Sequence, residues 1–226
     1  MMLLIALVGC GKGSQGSEGP NQSGLDSQTT QIEDDSVTGA APLQNEVANK
    51  SVSSTSSLPS AALTLKTNVS LMGFNSTQAS KYNQAIAIVK KVVATEAFRG
   101  KVINFAYGGA KQFANNIGKT NSQIYQSILD AAEKLKPIKN NTIDLGVKLY
   151  YAANSVVGYT NPSITYINVN TKFFNTYSAN QVAGNLFHEW LHKLGYDHDS
   201  SPTSRRPYSV PYAIGYMIRD LGKNFL

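Results

Sequence analysis

Apolar residues fall into regular spacings only after residue 60. Residues 62–71, ALTLKTNVSL, alternate apolar and polar and predict a strand with one buried face. From about Thr77 to Phe98, Tyr82, Ile86, Val89, Val93 and Ala97 recur at intervals of three and four, the signature of one long amphipathic helix. VINFAYGGAKQFANN offers two short runs around Gly108-Gly109 and predicts a hairpin turn. A second helix is expected from an Asn121 or Ser122 cap, with the stripe Ile124, Ile128, Ala131 or Ala132, and Leu135, halted by Pro137. TIDLGVKLYYA and SITYINVN read as strands joined by turns at Gly158 and Asn161-Pro162. Ser178 with Gln181 three residues on is a capping box, so a helix is expected from about Ala179. It runs to Leu194, with Val182, Leu186, Trp190 and Leu194 inward, and stops at Gly195, a natural left-handed cap. Helices and strands mix without strict alternation, which predicts an α/β or α+β fold on a mixed sheet.

Composition divides the chain at the same place. All 12 Tyr, all 8 Phe and the single Trp lie after residue 60. A segment without aromatics buries too little apolar area to offset its ordering entropy. Residues 11–60, rich in Ser, Gly and Asn, are therefore expected to be a disordered tether, and 61–226 the one folded domain. Residues 1–60 carry 2 Lys against 6 acidic residues, a net of −4, and 61–226 carry 18 basic against 8 acidic, a net of +10. The positive charges are scattered, with no run longer than Lys90-Lys91 or Arg205-Arg206. A solvated basic surface is expected, with no nucleic-acid partner. The chain is expected to be a monomer.

The first ten residues, MMLLIALVGC, form an apolar run ending in the only cysteine. The run is too short to span a bilayer, which takes about 20 residues, and has the length of a signal-peptide core. Leu7-Val8-Gly9-Cys10 resembles a bacterial lipobox, although no Lys or Arg precedes it. The resemblance implies a lipoprotein signal peptide over 1–10, lipidation at Cys10 and attachment to a membrane of the bacterial cell envelope. Gly11 in place of Asp implies the outer membrane. Cys10 also has no disulfide partner, and a tether directly behind it suits a lipid anchor.

HEWLHKLGYDHD, residues 188–199, holds every histidine in the protein. On a helix His188 and His192 stand one turn apart and project from one face. A sharp turn at Gly195 lets His198 swing back to complete a face of three nitrogens. Catalytic zinc takes three protein ligands and keeps one position open for water. Glu189, beside His188, is placed to reach that water rather than the metal. HExxH alone is a common accident, but HExxHxxGxxH fixes five positions and arises by chance on the order of once in 10⁵ chains. Structural zinc sites favour four ligands with Cys prominent, and the only Cys here is in the lipobox. One catalytic zinc per chain is expected.

His188 to His198 resembles the zinc signature of the metzincins, the endopeptidases that include astacins, serralysins and reprolysins. That resemblance implies a zincin-like mixed twisted sheet over the active-site helix, with a small C-terminal subdomain. It implies hydrolysis of protein or peptide substrates, with Glu189 as general base. SITYINVN would be the edge strand that an extended substrate joins. Asp199 resembles the reprolysin Asp that helps to hold the base of the site. Metzincins have a Met-turn beneath the metal, and here the departure lies: Ser209-Val210-Pro211-Tyr212 has Pro where Met would stand, and the only later Met is Met217. Tyr212, in a stretch that resembles the Tyr-bearing turn of astacins and serralysins, is the candidate donor to the transition state, with Tyr208 as its competitor. Two other classes stay open: a zinc amidase acting on peptidoglycan, and a non-catalytic zinc-containing envelope lipoprotein.

Overall fold

The computed structural model describes residues 30–33, as backbone, and residues 65–226. Cys10 and its apolar run lie outside the described residues, as does the expected tether apart from Thr30–Glu33. The fold is mixed α/β, as the sequence patterns predict. Its strands are β1 (Thr30–Glu33), β2 (Lys66–Met72), β3 (Thr142–Tyr150), β4 (Val156–Thr160) and β5 (Tyr166–Asn170). Its helices are α1 (Ser76–Val93), α2 (Glu96–Ile103), α3 (Asn121–Asp130), α4 (Thr171–Phe174), α5 (Ala179–Lys193) and α6 (Val210–Gly222).

Four strands of the domain form the mixed sheet, in the order β4-β5-β3-β2, and β1 joins it alongside β4. β2, β3 and β5 run parallel, while β4 is antiparallel to β5 and β1 antiparallel to β4. SITYINVN therefore contributes an interior strand, β5, and not the edge. The segment read as a turn at Gly158 is itself a strand, β4, and it forms the border of the four-stranded sheet. The turn falls after it, where Asn161 Oδ1 accepts from the Ser163 amide at 2.9 Å.

Ile143, Leu145 and Val147 of β3 with Ile167 and Val169 of β5 form the buried face of the sheet. They share one core with Tyr82, Ala85, Val89 and Val92 of α1 and with Val182, Leu186 and Trp190 of α5. The inward face expected of α5 is thus the observed one. After α5 the chain forms a loop, a 3-10 turn at Arg206–Tyr208 and α6, whose Val210, Ala213, Ile214, Met217 and Ile218 enter the same core rather than one of their own. α5 and α6 pack at unusually close range because glycines face each other. A Cβ on Gly184 would lie 2.8 Å from the Gly215 carbonyl, and one on Gly215 would lie 3.2 Å from His188 Cβ.

Three boundaries differ from the periodic pattern for local reasons. The long helix expected over 77–98 is two, because the Thr95 side chain accepts from the Phe98 amide and starts α2 afresh. α3 is capped by Thr120, not by Asn121 or Ser122, and it ends at Ala131 in the left-handed region (φ 49°), well before Pro137. Leu135, assigned to its stripe, is exposed. Gly108-Gly109 does turn, with both φ positive, but it joins a single bridge between Tyr107 and Ala110 rather than a hairpin of strands.

Candidate metal centre

α5 carries the first two histidines, and its start and stop follow from its sequence. The Ser178 amide donates to Gln181 Oε1 at 2.9 Å in the capping box, and Gly195 (φ 91°) reverses the chain after the last turn. That reversal brings His198 back to His188 and His192. The three rings are 4.9–5.2 Å apart, centroid to centroid, and one nitrogen from each lies within 4.8 Å of the others.

Second partners fix which nitrogen each ring presents. His192 Nδ1 lies 2.7 Å from the Tyr196 carbonyl, and His198 Nδ1 lies 3.0 Å from the Asp199 carbonyl. His188 hydrogen-bonds the backbone of Pro211, which has only a carbonyl to offer, so the ring donates. With Nδ1 holding the proton in each ring, all three Nε2 lone pairs face inward. This carbonyl–histidine arrangement is the usual device for orienting metal-binding imidazoles. His188 Nε2 and His192 Nε2 are 3.1 Å apart. Two lone pairs at that separation repel unless a cation lies between them, and nitrogens bound tetrahedrally to one zinc ion would sit about 3.3 Å apart. His198 Nε2 is buried and has no protein partner. The three side chains can therefore hold a metal ion.

Burial holds all three rings in the neutral form that binds metal. It pushes His192 down to about 3 and His198 to about 4, and His188 well below its ordinary range. Repulsion among the rings and from Arg206 adds to the effect in His188 and His192.

Glu189 is wholly buried, and neither carboxylate oxygen has a protein hydrogen-bond partner. Desolvation raises its pKa well above the usual carboxylate range, opposed by the Lys193 ammonium one turn along. A buried carboxylate without donors costs several kcal/mol, so this group is built to meet a proton, a protic ligand or a cation. It lies beneath β4. A Cβ on Gly158 would stand 3.1 Å from Glu189 Oε1 and 2.9 Å from the Asn168 carbonyl. Gly158 is thus the close-approach residue that lets the border strand lie over the carboxylate. Lys193 in turn ties α5 to the β4–β5 turn by donating to the carbonyls of Asn161 (2.9 Å) and Ile164.

Tyr212 and Tyr208 separate cleanly. Tyr212 is the third residue of α6, and its ring packs on His188 (4.6 Å, perpendicular) and on His198 (4.7 Å). Tyr208 packs instead on Tyr107 and Phe105. Met217 is buried in the core with Ile214 and Ile218, so the side chain against the histidine rings is Tyr212 and the backbone that holds His188 is Pro211. Asp199 organises the loop after the third histidine: its carboxylate accepts from Asn115 (3.2 Å) and Thr203 (2.5 Å) and pairs with Arg205 (3.5 Å).

Arg206 is a residue of the site that no sequence signal marks. It is buried, and its guanidinium stands 5.0 Å from the Tyr212 ring centroid. In the sequence Arg205-Arg206 resembles any solvated basic pair, and nothing in it announces a buried cation beside the histidines.

Comparison with family models, with characterised proteins and with solved structures finds no match. Among the described residues, no helix is long and apolar enough to cross a membrane.

Proposed function

We propose that this protein is a zinc-dependent metalloendopeptidase of metzincin type, with His188, His192 and His198 as ligands and Glu189 as general base. The observation that carries the reading is the convergence of three neutral histidines on one point, on the helix that buries an unpartnered carboxylate beside the first of them. Three nitrogen donors with no thiolate favour zinc at a catalytic rather than a structural centre. Zinc bound there would acidify a water and offset negative charge on the carbonyl oxygen of the scissile bond.

The protein's own groups supply the rest. Glu189, whose desolvated carboxylate is a strengthened base, accepts the proton of the attacking water and delivers it to the leaving nitrogen. Lys193 holds the β4–β5 turn on α5 and so keeps Gly158 over that carboxylate. Tyr212 is the candidate to donate a hydrogen bond from its phenol to the developing oxyanion, and its ring buttresses His188 and His198. The lipobox-like run ending at Cys10 supports placing this activity at the cell envelope, tethered by a lipid, with protein or peptide as substrate.

Cleavage of a panel of denatured proteins, abolished by a chelator and restored by zinc, is the expected result. Release of muropeptides from purified sacculi without protein cleavage would assign an amidase instead, and no hydrolysis of either would leave a zinc-binding lipoprotein. Within the peptidase reading, Tyr212→Phe keeps the ring packing and removes only the hydroxyl. Its kcat is expected to fall by up to about 10²–10³-fold, the scale of a lost oxyanion donor, with little change in KM. Tyr208→Phe should remain near wild type. Equal activity of the two variants would return Tyr212 to a purely packing role.

A further inference from the structure

β4 borders the domain's sheet directly over Glu189, and its outer edge is not bare. Thr30–Glu33, remote in sequence, pairs with it antiparallel: Thr30 stands opposite Thr160, Gln31 opposite Tyr159, Ile32 opposite Gly158 and Glu33 opposite Val156. Ile32 thus faces the residue whose missing Cβ admits the Glu189 carboxylate. A strand edge presents a row of backbone donors and acceptors, and an extended peptide satisfies them whatever its side chains.

We infer that Thr30–Glu33 is an internal ligand of the candidate active site: it occupies the edge of β4 as an extended peptide would and competes with peptides from solution. The competition with substrate rests on the peptidase reading, whereas the strand pairing does not.

Two further observations favour this occupant. The 32 residues between β1 and β2 (34–65) can span up to about 100 Å, so reach is no constraint. A link of this length holds the segment at an effective concentration in the millimolar range, enough to populate a contact of only millimolar affinity. Charge is the second. Residues 1–60 are net −4 and the remainder net +10. The acidic part of the chain is thus drawn to the basic domain that carries β4.

The test uses the full chain with the double substitution Gln31→Pro/Ile32→Pro. Successive residues of a strand point their amides to opposite sides, so prolines at 31 and 32 remove one of the donors to β4 whichever alternate set supplies them. Gln22→Pro/Ser23→Pro is the control. Two readouts need no turnover: hydrogen exchange of the β4 amides over 156–160, and binding of a labelled peptide with the sequence of residues 27–36. Exchange should be at least several-fold faster in the double variant than in wild type or control, and the peptide should bind it several-fold more tightly. Where a substrate is cleaved, KM should fall by a similar factor with kcat unchanged. Identical exchange and peptide binding in all three proteins would overturn the inference, as would altered exchange with unaltered peptide affinity. If both readouts move while no protein of the set cleaves any substrate, the internal ligand stands and the peptidase reading fails.

Discussion

Glu189→Gln is expected to lower kcat by roughly 10²-fold or more while leaving metal content unchanged, the scale of a lost general base. The amide fills the same space and cannot accept a proton from water. The stability of the variant should move in the opposite direction. Glu189 is fully buried with neither oxygen paired, and its desolvation is the dominant influence on its pKa. A neutral side chain of equal size removes that cost, so metal-free Glu189→Gln should unfold at a higher denaturant concentration than metal-free wild type above neutral pH. Lost activity with gained stability would mark a group held under strain for chemistry. Unchanged cleavage would require another base, and the described site offers none.

Acid should destabilise the metal-free protein well before ordinary carboxylates titrate. The folded histidines resist protonation, with His192 at about 3 and His198 at about 4, whereas in the unfolded chain each titrates near 6.5. A depressed folded pKa contributes stability above the unfolded value, and that stability is lost as pH falls from about 6.5 toward the folded values. Each proton bound only by the unfolded state lowers stability by about 1.4 kcal/mol per pH unit, so three histidines alone would give about 4. Glu189 and Glu133 oppose them. Burial raises both carboxyls, so the folded state binds their protons more readily over the same window. The net is one to two protons, or about 1.4–2.8 kcal/mol per unit between pH 6.5 and 4.5. Lys193, lowered to about 8 by burial, titrates above this window and does not enter. Urea unfolding of chelator-treated protein at half-unit steps from pH 7.5 to 5 measures the slope. Glu189→Gln should steepen it, because one opposing proton is gone. A flat profile would mean that the histidines are not buried together in the native state.

The helix that bears the site was legible because every signal on it is local. The capping box at Ser178, the one-turn spacing of His188 and His192, and the left-handed residue at Gly195 each act within a few positions. β4 was illegible for the opposite reason. Gly158 resembles a turn residue in sequence, but its cause is tertiary: the Glu189 carboxylate and the Asn168 carbonyl leave no room for a side chain there. A turn at Gly158 would make β5 the edge strand, the place that β4 occupies. The end of α3 had no signal either, since Ala131 adopts a left-handed conformation that sequence associates with Gly or Asn. Arg206 and the pairing of Thr30–Glu33 with β4 depend on contacts between remote parts of the chain, which periodicity does not encode.

His188, His192 and His198 are proposed to form one zinc site. Elemental analysis of the purified full chain after zinc loading and gel filtration tests it most directly, alongside His198→Ala, which removes the ligand brought back by Gly195. About one zinc per wild-type chain is expected, with a loss of most of it in the variant. Wild-type protein that carries no transition metal, or a variant that carries as much zinc as wild type, would contradict it.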